Sequence, residues 1–160
     1  MERIRSYFEN LAAQHVGLNH RESDPHFCYL NDEKEMLLPA QMGFPFVMLG
    51  HNGYEITDDE LHKRWQVMLS VQTHVTDTGD EREKNCAAGL CMRILDDLLI
   101  RCKSRDEISA NYWLRGIDLS KAVVSPIENE AEALYGWVVE FRIDLPWCRK
   151  VKGEVWKSAR

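Results

Sequence analysis

The chain has 160 residues, a formal net charge of −6, 44% hydrophobic and 29% charged residues. That length suits one domain with a core of its own, and the acidic balance excludes a global basic field of the kind that draws in nucleic acid. No apolar run approaches the ~18 residues needed to cross a bilayer, and the charged start, MERIRSYFEN, lacks the apolar centre of a signal peptide, so a cytoplasmic protein is expected. The five cysteines are odd in number and form no CxxC pair, so buried reduced thiols are expected rather than a disulfide framework.

Glu2–Val16 reads as an amphipathic helix, with Ile4, Tyr7, Phe8, Leu11, Ala12 and His15 at helical spacing and Gly17 placed to stop it. After a polar loop, Phe27–Leu30 suits a small strand. Asn31–Gln41 is open between a short helix capped by Asn31 and ended by Pro39, a strand and a loop. Phe44–Leu49 (FPFVML) is a continuous apolar run, and Pro45 points to a strand start or an edge. Gly50–Gly53 (GHNG) suits a tight hairpin turn, with Tyr54–Ile56 as the returning arm.

Trp65–Thr76 alternates. Trp65, Val67, Leu69, Val71, Thr73 and Val75 share one face of an extended chain, and Gln66, Met68, Ser70, Gln72, His74 and Thr76 the other. A sheet covered on one side gives that pattern and is usually antiparallel. Thr78–Glu81 matches a capping box, and a helix follows over Asp80–Lys103, with an apolar stripe from Ala87 through Leu90, Cys91, Ile94, Leu95 and Leu98 to Cys102. Acids open this helix and bases close it, which complements its dipole. Ile108–Leu119 has no clean period, with a short strand expected near Tyr112–Ile117. Lys121–Pro126 reads as a short strand and Ser125–Ala133 as an acidic loop. The clearest strand is Leu134–Leu145: Tyr135, Trp137, Val139, Phe141, Ile143 and Leu145 fall on one face, each contributing roughly 1.5–3 kcal/mol if buried. Cys148–Arg160 is a basic tail, open between a mobile terminus and a contact arm. The expected architecture is a single α+β domain over residues 1–160, a mostly antiparallel sheet of about four or more strands packed by an N-terminal helix and a long central helix.

Catalytic and metal signatures are sparse. No HExxH, GxSxG, GxGxxG or GxxxxGK[ST] occurs. His20, His26 and Cys28 lie near one another in sequence, but lack a fourth zinc ligand. Asp96 and Asp97 are consecutive and point apart on a helix. Cys86, Cys91 and Cys102 fall on a helix whose stripe is apolar, which favours packing over nucleophilic chemistry. Arg142, Arg149, Lys150, Lys152, Trp156, Lys157 and Arg160 come nearest to a nucleic-acid patch, a reading the overall acidity disfavours. No cofactor and no metal are expected. The polar strand face remains: one helix cannot cover two long strands completely, so this face meets solvent, another subunit, or further helices in a monomer covered on both faces. The interface residues expected are Gln66, Met68, Gln72, His74 and Arg142 on that face, Glu128, Glu130 and Glu132 in the acidic loop, and Trp147 and Trp156 as aromatic anchors. Trp113 suits an anchor as well.

In its order of parts, the first helix, FPFVML, RWQVMLSVQTHV, EREKNCAAGLCMRILDDLL and SPIENEAEALYGWVVEFRIDLP, the chain resembles the tail terminator (tail completion) proteins of long-tailed phages and phage-derived elements. The most distinctive piece is Asn129 followed by Gly136, Trp137, Glu140, Phe141, Ile143 and Pro146. The resemblance covers roughly Phe44 to Pro146. It implies a small α/β sandwich that forms rings, usually hexamers, without a catalytic site. Such rings cap the finished tail tube and dock the head connector. It implies as partners a second copy of the chain, the tail-tube protein and the head–tail connector protein, with no membrane, and a location in the bacterial cytoplasm or the assembled virion tail. Gly50–Gly53 and Glu128–Glu132 would be contact loops. A small enzymatic or ligand-binding domain, with Gln72, His74 and Arg142 lining a pocket on the open sheet face, is the alternative.

Overall fold

The computed structural model describes residues 1–30, 42–57 and 61–146. The expectations for Asn31–Gln41, Trp147, Trp156 and the basic tail lie outside the described residues. Helix α1 (Glu2–Gln14) leads to strand β1 (Phe27–Tyr29), then β2 (Phe46–Ile56) and β3 (His62–His74). Helices α2 (Glu81–Lys103) and α3 (Arg105–Ala110) and a 3-10 turn (Tyr112–Gly116) precede β4 (Ile117–Asn129) and β5 (Leu134–Pro146). The fold is α+β, with a five-stranded sheet in the order β1-β2-β3-β5-β4. Only β1–β2 is parallel.

The centre of the sheet is the pairing of β3 with β5, unbroken from His62↔Pro146 to His74↔Leu134. Register puts Val67, Leu69 and Val71 opposite Phe141, Val139 and Trp137, so the two-residue period of each strand delivers its apolar set to the same side. There Val67, Leu69, Val71, Val139, Phe141 and Ile143 join one core with the α2 stripe Cys91, Ile94, Leu95, Leu98 and Cys102. Trp137 donates its indole Nε1–H to the Ala88 carbonyl of α2 (3.1 Å), tying helix to sheet through the one polar tip of a half-buried aromatic. Ile4, Tyr7, Phe8, Leu11 and Ala12 of α1 enter this same core, beside Phe8–Phe141 ring contact (6.5 Å). Both long helices therefore cover one face.

Four local expectations are corrected. Gly50–Gly53 does not turn the chain: β2 runs through it to Ile56, and the register against β3 slips between His51 and Tyr54. Gly53 takes φ +86°, and its N–H donates to His51 Nδ1 (3.1 Å); a glycine in the left-handed region serves a bulge as well as a turn. Secondly, the α2 cap is Asp80, not Thr78. The Asp80 carboxylate accepts from the N–H groups of Arg82 and Glu83, and Glu83 reaches back to accept from the N–H groups of Thr76 (2.7 Å) and Asp77 (3.0 Å). Those two bonds hold the Glu83 carboxyl below its ordinary pKa. Thirdly, Tyr112–Gly116 is a helical turn rather than a strand, because Trp113 and Leu114 both enter the core, which alternation would forbid. Lastly, β4 continues through Pro126 to Asn129, so the acidic loop shrinks to the turn 130–133. The outer position of β4 in the sheet tolerates Pro126, which has no N–H to give. The same strand loses register against β5 between Asp118 and Val123.

Gly136 lies opposite Gln72 in the β3–β5 ladder, and a Cβ there would collide with the Val71 carbonyl oxygen.

Candidate interaction surface

With α1 and α2 on one side, the opposite face of the sheet carries no helix among the described residues. Register lines up the side chains that share it: Phe46↔Gln72, Met48↔Ser70, Met68↔Glu140, Gln66↔Arg142, and Asp118↔Arg142 from β4. The face has two halves. Towards Leu134, a small cluster of Cys28, Met42, Phe46 and Leu134 is buried, with Met48 packed on it. Gln72 is buried as well and donates its Nε2–H to Ser70 Oγ (3.1 Å), so its side chain is spent within the chain. His74 is exposed, with its ring 5.6 Å from that of half-exposed Phe44.

Towards Pro146 the face opens. Gln66, Met68, Val138 and Arg142 are half-buried and Glu140 is exposed. Arg64 donates to both carboxylate oxygens of Asp144 (Nε–H, 2.8 Å; Nη2–H, 2.9 Å), a bidentate pair that pins the arginine flat along the strands. Methionine and valine framed by Gln66, Glu140 and Arg142 make an amphipathic patch.

A second feature closes the far end of the sheet. The Val75 N–H donates to the Ala133 carbonyl (2.9 Å), drawing the β3–α2 connection against the β4–β5 turn. Glu128, Glu130 and Glu132 are exposed there, beside Asp77, Asp80, Glu81 and Glu83 at the start of α2. Glu132 is held by Asn129 Nδ2–H (3.2 Å), and Lys84 spans from Glu81 (2.8 Å) towards the Tyr135 ring (5.6 Å). The tip is strongly acidic.

The sequence-predicted residues are thus partly assembled. Gln66, Met68 and Arg142 lie together on the open patch, and the three glutamates lie together at the tip. Gln72, His74 and Arg142 do not converge: Gln72 faces Gly136 and Arg142 faces Gln66, six residues or ~20 Å apart along the strand. Trp113 is a core residue, 8% exposed, and not a surface anchor. His20, His26 and Cys28 are committed locally. The His26 backbone N–H donates to His20 Nδ1 (2.9 Å), His26 Nδ1–H donates to the Pro45 carbonyl (2.6 Å), and Cys28 is buried. Among the described residues no group of three potential ligands could hold a metal ion, and no helix is long and apolar enough to cross a membrane. Burial pushes the Cys91 thiol up to about 12 and the Cys102 thiol up to about 11, the reverse of an activated nucleophile.

No protein-family model and no curated protein sequence matches the chain.

Proposed function

We propose that this chain is a non-enzymatic, self-associating structural protein of a phage or prophage tail, a tail terminator that closes the tail tube and offers a docking surface to the head connector. The observation that carries the reading is one-sided coverage of the sheet: both long helices pack on one face, and the other leaves Met68, Val138 and Arg142 half-buried, as a surface awaiting a second chain would. The order of strands and helix shared with that family adds support, as does the acidic tip, which gives the molecule a charged end for a second contact.

The test is size-exclusion chromatography with light scattering, run on the protein alone and mixed with tail-tube protein from the same phage or prophage. A ring-sized species, or a mass increase with the tube protein, is expected. Monomers under both conditions at high concentration would overturn the proposal. Met68→Lys should lower the assembled fraction without lowering the melting temperature, since Met68 lies on the face away from the helices and opposite Glu140, a carboxylate that the new ammonium would meet.

A further inference from the structure

The bulge in β2 sets His51, Asn52 and Gly53 in an arrangement with a chemistry of its own. His51 pairs with Val67 and Tyr54 with Trp65, so Asn52 and Gly53 together oppose Gln66 and neither holds a register position in the ladder. Asn52 is exposed. Gly53 takes φ +86°, and a Cβ built on it would meet nothing within 4 Å. Asn52-Gly53 is also the one Asn-Gly pair in the sequence. An asparagine followed by glycine is the pair most open to ring closure: the backbone nitrogen of the second residue attacks the carboxamide carbon of the first, and glycine puts no side chain in the way. Both atoms belong to one short stretch of chain, so the attack is intramolecular.

What holds this closure back is the amide nitrogen, a poor nucleophile until its proton is drawn off. In the bulge that proton has a taker. The Gly53 N–H donates to His51 Nδ1 (3.1 Å), within the reach a general base needs. The His51 ring is half-buried, edge-on to Trp65 (5.0 Å) and tilted against Tyr29 (6.0 Å), contacts that fix its orientation. Burial, and after it the amino terminus at Met1, lowers the His51 pKa. Near neutral pH the ring is therefore uncharged and Nδ1 keeps the lone pair that takes a proton. The same local contact recurs at the end of α1, where the Gly17 N–H donates to His15 Nδ1 (3.1 Å). The residue between is Val16, which has no carbon to attack, so there the contact only shapes the chain. In the bulge it faces an electrophile.

We propose that Asn52 is a self-modifying site, deamidated through a cyclic imide with Gly53 as nucleophile and His51 as general base. The Gly53 nitrogen passes its proton to His51 Nδ1 and forms a bond to Asn52 Cγ. The Cγ–Nδ2 bond breaks, the imidazolium returns the proton to the departing nitrogen, and ammonia leaves. Water then opens the imide at either carbonyl, giving aspartate or isoaspartate; nothing is oxidised or reduced. The product puts a new carboxylate, or an extra backbone methylene, into the strand that carries exposed Glu55. The site is separate from the tail reading and does not depend on assembly. The test is to age the full chain near neutral pH and follow residue 52 by peptide mapping with mass spectrometry, scoring aspartate and isoaspartate. His51→Phe keeps a ring between Tyr29 and Trp65 and removes Nδ1. Asn52 should convert in the folded wild type and roughly tenfold more slowly in folded His51→Phe, below the ~10²–10⁴ of tuned general bases. In urea, with both chains unfolded, the two rates should be equal. An intact Asn52 in the aged wild type, a folded-state ratio below about threefold, or a difference that persists in urea would overturn the proposal. If His51→Phe does not fold, the wild type decides alone: conversion slower when folded than in urea overturns it, and conversion as fast or faster supports it.

Discussion

Gly136→Ala tests the joint on which the sheet depends. The added methyl would collide with the Val71 carbonyl oxygen and lie 2.9 Å from the Gln72 Cα and 3.0 Å from the Val71 carbonyl carbon. All three are backbone atoms of β3, so no side chain can swing away; the strands themselves must part. Forcing a methyl into a packed site costs about 1–3 kcal/mol, and stretching one ladder hydrogen bond adds about 1 kcal/mol. A total of about 3 kcal/mol lowers the melting temperature by about 6–12 °C in a chain of this size. Thermal unfolding followed by circular dichroism reads it directly. The control is Gly89→Ala, where the new Cβ meets nothing within 4 Å on an exposed turn of α2; it should stabilise by about 0.5–1 kcal/mol. A Gly136→Ala melt within 2 °C of the wild type, by the ~2–4 °C per kcal/mol that such domains show, would refute the close approach of β3 and β5.

Other consequences are open to measurement. Asp80→Ala removes the side-chain acceptor for two α2 N–H groups and should cost about 1 kcal/mol in urea unfolding; an unchanged midpoint would return the cap to another residue. Native thiol labelling, mapped by mass, should modify exposed Cys86 quickly and leave buried Cys28, Cys91 and Cys102 until the chain unfolds. The same thiols set an alkaline limit. Folded Cys91 and Cys102 hold their protons up to about 12 and about 11, whereas the unfolded thiol releases its proton near 9.0. Above that pH the unfolded state binds fewer protons, so stability falls as pH rises from about 9 to about 12. Cys91→Ala should flatten that slope, and a slope unchanged by it would remove Cys91 as its source.

How far the sequence could be read depended on whether a signal had one structural meaning. Alternation along β3 and β5 has only one, since a slip of a single residue would turn Val67, Leu69 and Val71 to the wrong side; both strands, their shared face and the α2 stripe were readable. Asn52-Gly53 has two meanings, turn and bulge, and the flanking strands chose the bulge. Thr78 and Asp80 both suit a cap, and Glu83 settled the matter through contacts with Thr76 and Asp77 that no spacing rule contains. Pro126 looked like an end because proline interrupts inner strands, and β4 is an outer one. Trp113 misled for a different reason: it looked like a surface anchor, and its burial against Tyr7 is decided by packing between residues distant in sequence.

The outer strands carry a last consequence. β1 offers three residues, and β4 interrupts its own ladder between Asp118 and Val123 and lacks a donor at Pro126. Among the described residues neither margin offers a neighbouring sheet a continuous ribbon, which disfavours fibril-like growth. The sheet instead presents its helix-free face broadside, a surface whose contacts have a fixed extent rather than an open-ended one.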